Sequence, residues 1–106
     1  MSFKKYNDKL IAMDLDGTLC YKESWNEKEV IYAEPIKDNI EINNNLYKSG
    51  AHIIIYTARP EIWRAETMYW LLKNGVRYHA LEMNYRKLGA DIYIDDKAIS
   101  MKEFKK

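Results

Sequence analysis

The stretch Leu10-Ile11-Ala12-Met13-Asp14-Leu15-Asp16-Gly17-Thr18 constrains this chain more than any other. Its apolar run, Leu10 to Met13, reads as a short buried strand, and it stops abruptly at two carboxylates one residue apart. Side chains alternate along an extended chain, so Asp14 and Asp16 share a side if the strand continues. Gly17 lets the backbone bend sharply there, which gathers both carboxylates and several N–H groups around one small space. Two ionised carboxylates this close repel unless a cation lies between them or one takes a proton. Alone, the stretch also reads as a strand end with an acidic turn, since Asp-Gly is a common turn pair. The rest of the chain separates the two readings.

The 106 residues predict one domain, 1–106, with a core sufficient for folding. Apolar residues make up 47% and charged residues 31%, with a formal net charge of +1, so nothing marks a polyanion or membrane-surface binder. Cys20 is the single cysteine and has no internal disulfide partner, which suits a reducing compartment. The first eight residues hold no apolar signal core, and no stretch reaches membrane-spanning length. A cytoplasmic location is the expectation.

Beyond the first strand, residues 19–33 mix aromatic and charged side chains without a clean helical face. They read as a flap over the strand's carboxyl end, with Val30-Ile31-Tyr32 a short strand returning from it. A helix is expected from Pro35 to a stop at Gly50, with Ile36, Ile40 and Tyr47 on one side and Leu46 beside them. The Asn43-Asn44-Asn45 run is a poor helix former. Residues 51–56, Ala-His-Ile-Ile-Ile-Tyr, form a nearly continuous β-branched strand, as in a parallel sheet buried on both faces. His52 at its entrance lies at the end opposite the expected site and reads as structural. Thr57-Ala58-Arg59-Pro60 follows, and Pro60 opens a second helix closing at Gly75. Ile62, Ala65, Tyr69 and Leu72 recur at helical spacing and are expected to face the sheet. Trp63 and Trp70 read as core, with a dimer-forming stripe as the alternative. Residues 76–81 suggest a third strand, 82–89 a turn or short helix, and 91–94 a fourth strand ending in Asp95-Asp96, before a lysine-rich C-terminal helix.

This order predicts an α/β fold, a three-layer, Rossmann-like parallel sheet of about four strands covered by helices. Ligands bind such sheets beyond the carboxyl ends of the strands. Three of those ends are polar: Asp14/Asp16, Thr57 and Asp95/Asp96. The four aspartates form an all-oxygen set, which suits Mg²⁺ better than zinc. Mg²⁺ in turn suits a phosphate ester, a carboxylate is competent to attack phosphorus, and the transferring group needs donors. Thr57, the backbone N–H groups beside it at Ala58 and Arg59, and a lysine are candidates.

In these residues the chain resembles the haloacid dehalogenase-like hydrolase superfamily over nearly its whole length. The first motif stands as Ile11-Ala12-Met13-Asp14-Leu15-Asp16-Gly17-Thr18 and the second as Ile53-Ile54-Ile55-Tyr56-Thr57. The third is a lysine upstream of the last strand, and the fourth is Ile92-Tyr93-Ile94-Asp95-Asp96. The resemblance implies Asp14 as nucleophile and metal ligand, and Asp16 as general acid/base with its backbone carbonyl on the metal. Thr57 and Lys87 would bind the phosphoryl group, and Asp95 with Asp96 would complete the Mg²⁺ site. An acidic residue at position 16 points to a phosphatase rather than a dehalogenase. Lys87 is preferred over Arg86 and Lys97 for its spacing to Asp95. The Tyr56-Thr57-Ala58-Arg59 and Tyr93-Ile94-Asp95-Asp96-Lys97-Ala98 sequences look like those of capsule or polysaccharide-biosynthesis phosphatases. Arg59 reaches a second anionic group on the substrate in one reading and forms a structural salt bridge in the other.

The chain leaves no room for a cap domain, so the flap, a partner subunit or a large substrate would cover the site. The expected partner is a small phosphorylated metabolite, a sugar phosphate first, with neither polymeric nucleic acid nor membrane, and with a homo-oligomer as one way to close the site. The alternatives are a phosphatase acting on a nucleotide or nucleic-acid end and, from another class, a non-catalytic assembly module.

Overall fold

The computed structural model describes residues 3–21, 29–83 and 89–95. Four strands, β1 (Leu10–Asp14), β2 (His52–Tyr56), β3 (Ala80–Glu82) and β4 (Ile92–Ile94), form one all-parallel sheet in the order β3-β2-β1-β4. Two helices, α1 (Lys37–Lys48) and α2 (Arg64–Lys73), carry the crossovers from β1 to β2 and from β2 to β3. This is a Rossmann-like α/β architecture, a parallel sheet flanked by helices.

β1 is central because it is apolar on both faces: Ile11, Ala12 and Met13 are fully buried. Its register pairs Leu10 with His52 through Asp14 with Tyr56 on one side, and Ile11 with Ile92 through Met13 with Ile94 on the other. The chain moves from β1 through β2 to β3, then returns to place β4 on the far side of β1. The topological switch therefore lies between β1 and β4, where open α/β sheets bind ligands.

Both helices end as their glycines predict. After α1, Gly50 has φ +95°, its N–H bonds Tyr47 O, and Ala51 N–H bonds Leu46 O; Gly75 (φ +67°) and Val76 repeat the pattern on Leu72 O and Leu71 O. This double bond is the Schellman closure, which needs the left-handed conformation glycine adopts at little cost. The asparagine run in α1 is stabilised by tertiary bonds. Asn43 is fully buried and donates Nδ2 to Arg77 O, while Asn44 donates to Gly75 O and accepts from Arg77 N–H. Low helix propensity is outweighed by three bonds that fasten α1 to the loop before β3.

Several expectations are corrected. Residues Val30–Tyr32 form a 3-10 turn rather than a strand, and the third strand is shorter, starting at Ala80. Pro60 opens a 3-10 turn, Glu61–Trp63, and α2 proper starts at Arg64. The buried face of α2 is the other one: Thr67, Trp70 and Leu71 face inward, while Ile62 (77% exposed) and Leu72 (80%) face out with Ala65 and Tyr69. The large indole of Trp70 decides the rotation, because it enters the core and its Nε1–H finds Ala33 O at 2.7 Å. Trp70 is thus core and not part of a dimer stripe. His52 is exposed, near Asp8 at 3.7 Å. The C-terminal helix and most of the 82–89 turn lie outside the described residues, as does the tip of the flap. Among the described residues, no helix is long and apolar enough to cross a membrane.

Candidate active site

The switch between β1 and β4 carries a carboxylate at each of its strand ends. Asp14 is the last residue of β1, and Asp95 follows Ile94, the last residue of the adjacent parallel strand β4. Asp14 is also the register partner of Tyr56 on its other side. Side chains opposite one another project to the same face, so Asp14 and Tyr56 share a face at the ends of β1 and β2. The Tyr56 hydroxyl crosses the end of β1 and donates to Asp95 Oδ2 at 3.0 Å.

After Asp14 the chain leaves the strand in a tight loop. Leu15 N–H still bonds Tyr56 O, but Leu15 O then collects the N–H groups of Thr18, Leu19 and Cys20. Gly17 takes φ +89° and its N–H bonds Cys20 O at 2.8 Å, closing the loop on itself. This turn aims Asp16 at the end of β2. Thr57 donates its hydroxyl to Asp16 Oδ2 at 2.6 Å and accepts the backbone N–H of Arg59 at 3.1 Å. Arg59 donates Nε (3.1 Å) and Nη2 (2.8 Å) to Asp16 Oδ1, and Nη1 to Thr67 Oγ1 at 3.1 Å. The side chains of Arg59 and Asp16 are 2% and 13% exposed. For Arg59 the structure realises the salt-bridge reading: a guanidinium this deeply buried reaches Asp16 and α2, not outward to a second anionic group.

Cys20 lies against this pair, with Sγ 3.7 Å from Asp16 Oδ1 and 3.8 Å from Arg59 Nη2. Burial in a place with little water, and then the neighbouring Asp16 charge, push its thiol up to about 12, so it stays neutral and unreactive. The loop is held from α1 by Asn39, whose Nδ2 donates to Thr18 O at 2.8 Å. The base of the flap is closed by Tyr21 N–H to Glu34 O and Ile36 N–H to Leu19 O, both 2.9 Å. A groove of about 640 Å³ lies elsewhere, beside α1 and the end of α2, lined by residues such as Ile40, Asn44, Lys48 and Lys73 and by none of these side chains.

Of the predicted site residues, the structure places Asp14 and Asp95 at the ends of adjacent strands, and brings Asp16 together with Thr57 and Arg59. Ala58 stands between the last two on the loop after β2, while Lys87, its rivals Arg86 and Lys97, and Asp96 lie outside the described residues. Among the described residues no three acidic, histidine or cysteine side chains cluster as a metal would require. The Asp16 carboxylate is turned onto Arg59, and Asp14 and Asp95 are the described carboxylates at the strand ends of the switch. Two hard oxygen donors from adjacent strand ends fit a magnesium-type ion. Sequence reasoning missed Tyr56 and Thr67. Tyr56 could have been found from its place in register with Asp14, and Thr67 from its spacing to Trp70 and Leu71 on one helical face.

No family profile matches the sequence, and a search of curated proteins gives no match. Solved structures do match. A conserved protein from a Bacteroides thetaiotaomicron locus is 24% identical, with a TM-score of 0.70, over 94% of this chain and 93% of its own. A protein from Vibrio cholerae is 28% identical (TM-score 0.68), with 91% and 86% covered. A chain of the Pnkp1/Rnl/Hen1 complex is 24% identical (TM-score 0.66) over 76% of this chain, and the match spans only 31% of that longer chain. Together with the strand order, these likenesses show a fold shared with known structures.

Proposed function

We propose that the protein is a Mg²⁺-dependent phosphomonoester hydrolase working through an aspartyl-phosphate, with a small sugar phosphate as first substrate class. The observation that carries this reading is the set of polar groups at the strand ends: Asp14 closes β1, the Tyr56 hydroxyl of β2 donates to Asp95 just past β4, and Asp16 is tied to Thr57. Asp14 and Asp95, with Asp96, would hold the divalent ion, which when bound draws charge from the phosphoryl oxygens.

In the first half-reaction an Asp14 oxygen bonds to phosphorus as the P–O ester bond breaks. The electron pair leaves with the ester oxygen, which takes a proton from Asp16. Water then attacks phosphorus, gives its proton to Asp16, and the Asp14–P bond breaks to release phosphate. Both carboxyl groups return to their starting state. Thr57, the backbone N–H groups at 58 and 59, and Lys87 are the proposed donors to the phosphoryl oxygens. The Thr57 hydroxyl has one hydrogen, spent here on Asp16, so its donation to substrate requires that it turn away.

A second reading, a phosphatase acting on a nucleic-acid end, is favoured by one observation. A further neighbour, 19% identical with a TM-score of 0.69, belongs to the Pnkp1/Rnl/Hen1 RNA repair complex, and the match covers 38% of that chain. At that identity the likeness speaks for the fold, while a net charge of +1 speaks against a polyanion. A screen of sugar phosphates, mononucleotides and 3′- or 5′-phosphorylated oligonucleotides with Mg²⁺, with EDTA as control, separates the readings. Turnover of sugar phosphates supports the first and turnover of oligonucleotides alone the second. Release of phosphate from no substrate in the panel overturns both and leaves a non-catalytic module.

A further inference from the structure

We propose that Arg59 is a positioning residue that fixes the Asp16 carboxylate for proton exchange with the leaving group; this rests on the phosphatase reading above. Asp16 sits in a turn built on Gly17, not in a strand, so its own backbone does little to restrain its side chain. Restraint comes from outside. Arg59 places two N–H groups on one oxygen, Oδ1, at 3.1 and 2.8 Å, and the Cys20 thiol lies 3.7 Å from the same atom. Oδ2 meets the Thr57 hydroxyl at 2.6 Å. The two oxygens are therefore unlike: Oδ1 is held by an always-charged donor, and Oδ2 shares a hydroxyl that is able to turn.

The guanidinium is itself fixed. Its third nitrogen donates to Thr67 Oγ1 at 3.1 Å, and Thr67 is fully buried on α2, so the chain Asp16–Arg59–Thr67 ties the Asp16 side chain to α2. A buried guanidinium is expensive unless paired and hydrogen-bonded, which disfavours an incidental placement. A carboxyl group held this way leaves Oδ2 as the oxygen that gives and takes the proton. General-acid help matters most when the leaving oxygen is a poor leaving group, and that dependence is the signature of the proposal.

The experiment measures single-turnover release of alcohol or phenol from an alkyl phosphate and from p-nitrophenyl phosphate, with Mg²⁺, by the wild-type chain, Arg59→Lys and Thr67→Val. Arg59→Lys is expected to slow the alkyl phosphate by about 100-fold, the scale of a misplaced general acid. On p-nitrophenyl phosphate, whose leaving group needs little protonation, the rate should stay within roughly 3-fold. Thr67→Val keeps the ion pair but cuts its tether, and should show the same selectivity at roughly 3- to 10-fold. Equal losses on both substrates, or none on either, overturn the proposal while the phosphatase reading stands. If Arg59→Lys does not fold, as its circular dichroism will show, Thr67→Val decides alone. A wild-type chain inactive on both substrates overturns the phosphatase reading and the proposal with it.

Discussion

Thr57→Val tests whether the hydroxyl at the end of β2 is part of the Asp16 assembly. Valine matches threonine in shape, so the change removes polar bonds without opening a cavity. Two groups lose a partner. The Asp16 carboxylate loses a 2.6 Å hydrogen bond, and a bond to a charged group is worth about 1.5–3 kcal/mol. The backbone N–H of Arg59, in a residue only 4% exposed, loses its acceptor at 3.1 Å, and an orphaned buried donor costs about 1–3 kcal/mol. Because Asp16 keeps some contact with water and both groups share one neighbourhood, the expected total is about 2–4 kcal/mol. For a chain of this size that lowers Tm by roughly 10–20 °C. Thr57→Ser keeps both bonds and loses one methyl, so it should cost about 1 kcal/mol. Urea denaturation followed by circular dichroism, with all three proteins showing the same m-value, gives the comparison. If valine proves as stable as threonine, or serine costs as much as valine, the hydrogen-bond account is wrong.

Trp70→Phe should cost about 3 kcal/mol in the same assay, from the smaller ring and the loss of the 2.7 Å bond to Ala33 O. Leu72→Lys should change stability by less than about 0.5 kcal/mol, because the side chain is exposed; a large loss would restore the helical face expected from sequence periodicity. Cys20 should resist Ellman's reagent at pH 8 until the chain unfolds. Its native thiol titrates at about 12, above its ordinary value of 9.0, so an unfolded chain ionises first as pH rises. The stability this contributes is therefore complete below pH 9 and is lost progressively between pH 9 and 12. Cys20→Ala should flatten that alkaline loss in pH-dependent urea curves.

Much of the sheet and of the cleft was legible because their signals are local. An unbroken apolar run, as in Ile11–Met13 and Ile53–Ile55, marks a strand buried on both faces, and a glycine at a helix end marks its stop. The placing of Asp14 and Asp95 at the ends of adjacent strands followed from the rule that parallel sheets put their carboxyl ends on one side. The rotation of α2 was not legible. Ile62, Tyr69 and Leu72 have the better apolar spacing, but Trp70 has the greater area to bury and Arg59 needs a hydroxyl from the same face, which Thr67 supplies. Both reasons involve residues far away in the chain. The role of Arg59 was equally hidden, because a guanidinium that serves substrate and one that serves an aspartate look alike until burial is known. Asn43 and Asn44 look like helix breakers for the same reason, since their partners lie more than thirty positions on.

The most direct measurement is phosphate release in the presence of Mg²⁺, with the chain and its Asp14→Asn variant compared over the substrate panel. The account predicts turnover by the wild type, abolished by EDTA and by Asp14→Asn, in a variant whose circular dichroism and melting show an intact fold. Undiminished phosphate release from a folded Asp14→Asn protein would contradict the claim that Asp14 accepts the phosphoryl group.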